Sequence, residues 1–304
     1  MRSSLFALSC GVFTALSGPA SPRVELDAAA AAPSPEPVTT APFRPTNLDG
    51  TVPVLMYHRT GPEEKYMVRS AENFREDLAR LYASGFRPVT LAEYASGKMP
   101  IKPGESPVVL TFDDSAESQF RIMPDGSVDP ECFVGLWRAF AESVPDFPVR
   151  GTFFVNPNGP FEQRGLGAKK VKLLREWGSE IAWHSRTHVD FSKASDRRVM
   201  SEMAYGFEYL EKLGVTPKTF ALPYGSLPKN KGLLEGFDWN GRRIKYDAVA
   251  LAGSAPMTSP HQNPRLHRIQ RIQAYPGLYG IDYWLNRYAD GRQAQYVEGS
   301  PERG

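Results

Sequence analysis

Two adjacent aspartates, Asp113 and Asp114, and two histidines, His184 and His188, are the side chains here whose types and spacing could do chemistry together. An H-x-x-x-H pair suits two imidazoles converging on one cation, as in zinc sites. With one carboxylate the pair makes a two-histidine, one-aspartate set that leaves positions open for water and substrate. Such a set suits zinc and also accepts iron, cobalt or nickel. Neighbours in a regular strand point to opposite faces, so both aspartates can reach one pocket only where a strand gives way to a loop. Taken singly, each pattern is weak. Asp-Asp is a common helix-capping turn, and H-x-x-x-H is often two unrelated surface histidines. The chain has only five histidines, however, and His58 also follows an apolar run. The other two, His261 in a Pro-rich loop and His267 in an expected strand, have no partner carboxylate and read as structural.

Elements that would position these groups are visible in the hydrophobic pattern. Short apolar runs at 52–57, 108–112, 151–155, 180–183, 219–222, 247–251 and 266–272 read as strands. Helices are expected at 71–84, 169–177, 196–213 and 281–288; the third carries Val199, Met203, Phe207 and Leu210 on one stripe and ends before Gly214. Fully apolar strands alternating with helices imply a parallel sheet covered on both faces. Their number and length suit an α/β barrel, in which reactive groups sit at strand ends. His58, Asp113-Asp114, His184 and the turn Pro223-Tyr224-Gly225 all follow apolar runs, so four strand ends converge on one mouth. The connection at 116–150 is longer than a crossover requires, and its 121–147 portion is expected to form a lid or groove wall.

The bulk numbers set limits. In 304 residues, 36 Lys and Arg face 34 Asp and Glu, which gives no basic footprint for nucleic acid and no polybasic surface for anionic lipid. The 41% hydrophobic content supports a sizeable core. Arg2, the apolar stretch Leu5 to Leu16 and the small residues Gly18 and Ala20 read as an export signal over 1–20, cleaved after Ala20. The stretch is short for a membrane span. Ala7-Leu8-Ser9-Cys10 faintly resembles a lipoprotein box; cleavage after Ala20 leaves Cys132 alone, without a disulfide partner and expected to be buried. Residues 21–48, rich in Ala and Pro, read as a linker, 49–295 as one catalytic domain and 296–304 as a flexible tail. The expected protein is exported, to the periplasm, the cell envelope or the medium, and monomeric.

The motifs together resemble a known family. T-F-D-D-S at 111–115, W-H-S-R-T-H at 183–188 and F-A-L-P-Y-G at 220–225 are similar to the three motifs of the NodB-like polysaccharide deacetylases, carbohydrate esterase family four. P-V-L-M-Y-H at 53–58 resembles the N-terminal motif of the circularly permuted branch, which includes the poly-N-acetylglucosamine deacetylases. The resemblance runs from about Val52 to Arg271 and implies a distorted (β/α) barrel that hydrolyses N-acetyl groups on a polysaccharide. It implies Asp113 as catalytic base, Asp114, His184 and His188 as ligands of a divalent metal, zinc first, His58 as general acid and the Tyr224 N–H as oxyanion donor.

Some positions depart from the family pattern. Ser115 replaces the usual glycine, and Ala221 stands where an arginine normally pairs with the catalytic aspartate, so nothing in the motifs says what holds Asp113. The tryptophan expected near the acid has three candidates, Trp183, Trp239 and Trp284. Rival readings are a catalytically impaired glycan-binding scaffold and an amidohydrolase of a small cyclic amide. A glycosidase fits poorly, because its carboxylates must stand about 5 Å or more apart across a sugar bond.

Overall fold

The structure, a computed structural model, describes residues 44–157 and 160–299. The expected signal segment and most of the linker lie outside the described residues. Eight strands form one sheet: β1 (Val54–Tyr57), β2 (Phe86–Val89), β3 (Ser106–Phe112), β4 (Thr152–Val155), β5 (Glu180–Trp183), β6 (Thr219–Ala221), β7 (Ala248–Ala250) and β8 (Ile272–Gln273). Their order is β7-β6-β5-β4-β3-β1-β8, with β2 also on β3, and every ladder is parallel. Parallel bridges Ala250↔Ile269 and Gly253↔Ile272 bring the two ends of that order together, curling the sheet into a distorted barrel.

The sequence accounts for this architecture. All seven residues of β3 are buried, as a central strand covered on both faces requires. The barrel interior is filled largely by small and medium side chains, among them Val54, Val109, Ala182, Ala221 and Ala248, together with the Phe154 ring. A larger outer layer joins the sheet to its helices. These are α1 (Ala71–Ala83), α2 (Leu91–Ser96), α3 (Phe133–Ser143), α4 (Gly167–Glu176), α5 (Asp196–Leu210) and α6 (Ile281–Ala289). Helix α5 buries Val199, Met203, Phe207 and Leu210 as its periodicity predicts, is N-capped by Ser195, and passes through a 3-10 turn to Gly214 in the left-handed region.

Three expectations are corrected. The long connection is not a lid over its whole length: α3 lies on the outside of the barrel against α1, with the Phe133 ring 4.6 Å from Phe74 and 5.5 Å from Tyr57. Its apolar face (Phe133, Val134, Trp137) is core, and burying it drives the helix onto the sheet. Cys132 is buried there, as expected, and its sulfur caps α3 by accepting from Gly135 N. The strand expected at 266–272 is mostly other structure: Leu266–Arg268 is a 3-10 turn and only Ile272–Gln273 joins the sheet. The folded part also reaches past 49–295. Arg44 binds the Gly85 and Gly104 carbonyls, Asn47 bridges Val297, and Tyr296 is fully buried.

Candidate active site

Parallel strands leave all their C-terminal ends on one side, and the singled-out residues gather there. Backbone bonds fix the edges: Asp113 N donates to Tyr57 O at 3.0 Å, His184 N to Val155 O at 2.9 Å and Leu222 N to Ala250 O at 2.9 Å. Beyond those bonds the chain turns sharply. Asp114, Ser115, Ser185, His188 and Tyr224 all have positive φ, between 47° and 71°. Non-glycine residues held in this region cost about 1–3 kcal/mol each and cluster where function over-determines the backbone. At 113–114 the turn does what adjacent aspartates need, sending the two carboxylates in different directions.

Asp114 faces the histidines. Its Oδ1 lies 3.3 Å from His184 Nε2 and 3.4 Å from His188 Nε2, and the three ligand atoms are all within 4.8 Å of one another. Zinc–ligand bonds near 2.0–2.1 Å put tetrahedral ligands roughly 3.3 Å apart, so the donor set fits such an ion. His184 Nδ1 lies 2.9 Å from Ala221 O. Donating there fixes the tautomer and leaves Nε2 bare toward Asp114 and His188; metal-binding histidines almost always donate in this way through their other ring nitrogen. His188 is held by Ser185 Oγ, which accepts from its N–H at 3.0 Å, and by the Tyr224 ring at 4.7 Å.

Asp113 is buried, with its Oδ2 3.9 Å from His184 Nε2. Arg271 grips it bidentately, Nη1 to Oδ1 at 2.6 Å and Nη2 to Oδ2 at 2.7 Å. The guanidinium is itself fixed by Leu251 O at 2.7 Å and Thr111 Oγ1 at 3.1 Å. Burial alone would raise the Asp113 pKa, but Arg271 and His184 outweigh it and hold the carboxyl well below its ordinary range. Asp113 is therefore a carboxylate at neutral pH. His58 Nε2 stands 4.0 Å from Asp113 Oδ2, at the end of β1. Burial pushes the His58 pKa down, against the upward pull of the two aspartates. Gln119 ties the strand ends together, its amide donating to His58 O at 2.7 Å and to Asp113 O.

The sequence singles out Asp113, Asp114, His184, His188 and His58 but not Arg271. The arginine absent at 221 is supplied from the other end of the sheet, just before β8, and Ala221 instead gives its carbonyl to His184. The signal was an arginine between Ile269 and Ile272, but Arg265 and Arg268 nearby made it indistinct. His261 and His267 stay away from the site, paired with Tyr296 Oη and Tyr246 O. Trp183 is buried beside Tyr205 and Tyr209, and Trp239 lies in a two-stranded hairpin. Trp284 donates to Ser254 O just past β7.

Comparison with known proteins bears on the family and the fold. Residues 101–235 match the polysaccharide deacetylase family model. Among solved structures, the Streptococcus pyogenes deacetylase PplD superposes with a TM-score of 0.56 at 18% identity, covering 78% of this chain and 98% of that one. BC0361, a polysaccharide deacetylase from Bacillus cereus, gives 0.57 at 17%, covering 79% and 69%. IcaB from Ammonifex degensii gives 0.50 at 20%, covering 79% and 96%. At these identities the likeness is one of fold. No curated protein matches the chain by sequence. The family match over residues 101–235 and the shared fold agree with the motifs: the chain carries a polysaccharide deacetylase domain of the NodB type, a hydrolase domain acting on amide bonds.

Proposed function

We propose that the chain is a metal-dependent enzyme that removes N-acetyl groups from an extracytoplasmic, N-acetylglucosamine-containing polysaccharide, an exopolysaccharide in the first place. The observation that carries this is the division of the two aspartates: Asp114 lies against both His184 and His188, while Asp113 is clamped by Arg271, its Oδ2 4.0 Å from His58 Nε2 and 3.9 Å from His184 Nε2.

Asp114, His184 and His188 would hold the ion. Bound there, a divalent cation supplies a Lewis acid for the acetyl carbonyl and lowers the pKa of water toward about 7. Asp113 accepts the proton of the attacking water. As the water oxygen bonds to the carbonyl carbon, negative charge builds on the acetyl oxygen, and the Tyr224 N–H is the donor assigned to it. The C–N bond then breaks. His58, protonated, gives its proton to the departing nitrogen, so acetate and a free amine leave. The Arg271 clamp keeps Asp113 ionised and aimed.

A polymer is supported by the mouth. A hollow of about 750 Å³ lies beside His188 and Tyr224, and another of about 430 Å³ lies between Tyr66, Gln273 and Tyr275 near the β1 and β8 ends. Tyr224 and Tyr66, which line these hollows, are exposed, the kind of surface on which sugar rings stack. No helix of the described residues is long and apolar enough to cross a membrane. Acetate release from N-acetylglucosamine oligomers, peptidoglycan and acetylated xylan, with and without chelator, tests the reading. Chelator-sensitive release from the oligomers is expected; release from none of these substrates would contradict it.

A further inference from the structure

One helix grips the H-S-R-T-H segment at its middle and at the residue before it. Arg198, Glu202 and Tyr205 stand at i, i+4 and i+7 on α5 and share a face. Glu202 is 1% exposed. Its Oε2 accepts from Arg186 N at 2.7 Å and Thr187 N at 2.8 Å, and its Oε1 accepts from Thr187 Oγ1 at 2.7 Å. Arg198 lies 2.9 Å from the same Oε1 and donates to Thr187 Oγ1 at 2.7 Å. The Arg186 guanidinium sits 4.4 Å above the Tyr205 ring. One residue before His184, Trp183 Nε1 donates to Glu202 O at 2.9 Å. Gly206 permits that approach, since a Cβ there would stand 2.5 Å from the indole.

The segment so held is the strained one. Ser185 and His188 both sit at positive φ, and the two N–H groups between them turn away from the cation side toward Glu202. A loop with two left-handed residues has many relaxed alternatives, and in most of them His188 would leave His184 and Asp114. We infer that Glu202 is a positioning residue for the metal set: its carboxylate collects the inward N–H groups of 186 and 187 and so preorganises His188 opposite His184. The inference rests on the assignment of Asp114, His184 and His188 as ligands. It adds that the ligand geometry is set from α5.

Glu202→Gln is the direct test, because glutamine keeps the shape but must aim an NH2 group at donors that need an acceptor. Two readouts are needed. Zinc affinity, by chelator competition on the full chain well below its unfolding temperature, should fall at least tenfold, within the range of about 10–100-fold for groups that orient ligands. Amide exchange at Arg186 and Thr187, followed in zinc-free protein, should speed up. Thr187→Val, which removes only the hydroxyl links, should show both effects more weakly, and Glu208→Gln on the exposed side of α5 should show neither. Wild-type zinc affinity and unchanged exchange in both Glu202→Gln and Thr187→Val would overturn the inference. Zinc bound equally by wild type and His188→Ala would instead overturn the ligand assignment, and the exchange result would then decide the role of Glu202 alone.

Discussion

Arg271, arriving just before the last strand of the barrel, closes on Asp113 at the end of the third through two N–H···O bonds of 2.6 and 2.7 Å. Fork-to-fork pairing fixes the plane and direction of a carboxylate as well as its charge. Arg271→Met should therefore lower turnover about 100-fold or more while leaving zinc affinity near wild type, because the proposed ligand is Asp114. It should also destabilise the fold by roughly 3–5 kcal/mol, the usual cost of stranding one buried charge. Arg271→Lys, with charge but no fork, should fall between. Equal loss of zinc and turnover in the methionine variant would contradict this role.

His58 is assigned to the leaving group, so its value should depend on how poor that group is. His58→Ala should slow acetamide hydrolysis about 10²–10⁴-fold, the range for general acid catalysis. An aryl acetate, whose phenolate departs without a proton, should be affected far less. Equal losses on both substrates, read from kcat/KM, would remove His58 as acid.

Lys170 gives a pH test that is independent of catalysis. It is buried in the layer behind the mouth, donates to Phe161 O at 3.1 Å and lies under Phe120 and Phe161. Burial pulls its pKa down from 10.5 to about 8. Between those values the unfolded chain binds a proton that the folded chain has released, so stability rises with pH across that window. The urea midpoint of wild type should gain on that of Lys170→Met as pH goes from 7.5 to 9.5. A constant gap would show that the amine keeps its proton in the fold.

Tyr66, which lines the hollow near the β1 and β8 ends, is 82% exposed, and Tyr279, in the segment that follows β8, is 48% exposed. Neither has a role in the proposed bond breaking, so they should matter for binding a chain instead. The double variant Tyr66→Ala, Tyr279→Ala should raise KM severalfold on long oligomers with little change on the shortest that turns over. A uniform fall in kcat across chain lengths would contradict a stacking role.

Much of this was legible in the sequence, for identifiable reasons. Strands buried on both faces, such as 108–112, cannot be mistaken for surface segments, and the α5 stripe is unambiguous. Motif residues that end strands could be placed because parallel topology puts all such ends together. What escaped were partners from distant elements. Arg271 is 158 residues from Asp113 and sits in a segment that is only briefly a strand, because its bridges close a barrel instead of extending a sheet. Glu202 reads as one more polar residue of an amphipathic helix until the loop that it faces is seen. The outward packing of α3 was missed because an apolar helix in a long insertion suits a lid and a barrel layer equally well.

The central claim is the division of labour between Asp113 and Asp114, and metal content measured beside turnover tests it most directly. Purified Asp113→Asn should retain zinc at wild-type stoichiometry and lose at least about 100-fold in acetate release, whereas Asp114→Ala should lose both. Full zinc occupancy in Asp114→Ala, or wild-type turnover in Asp113→Asn, would contradict the account.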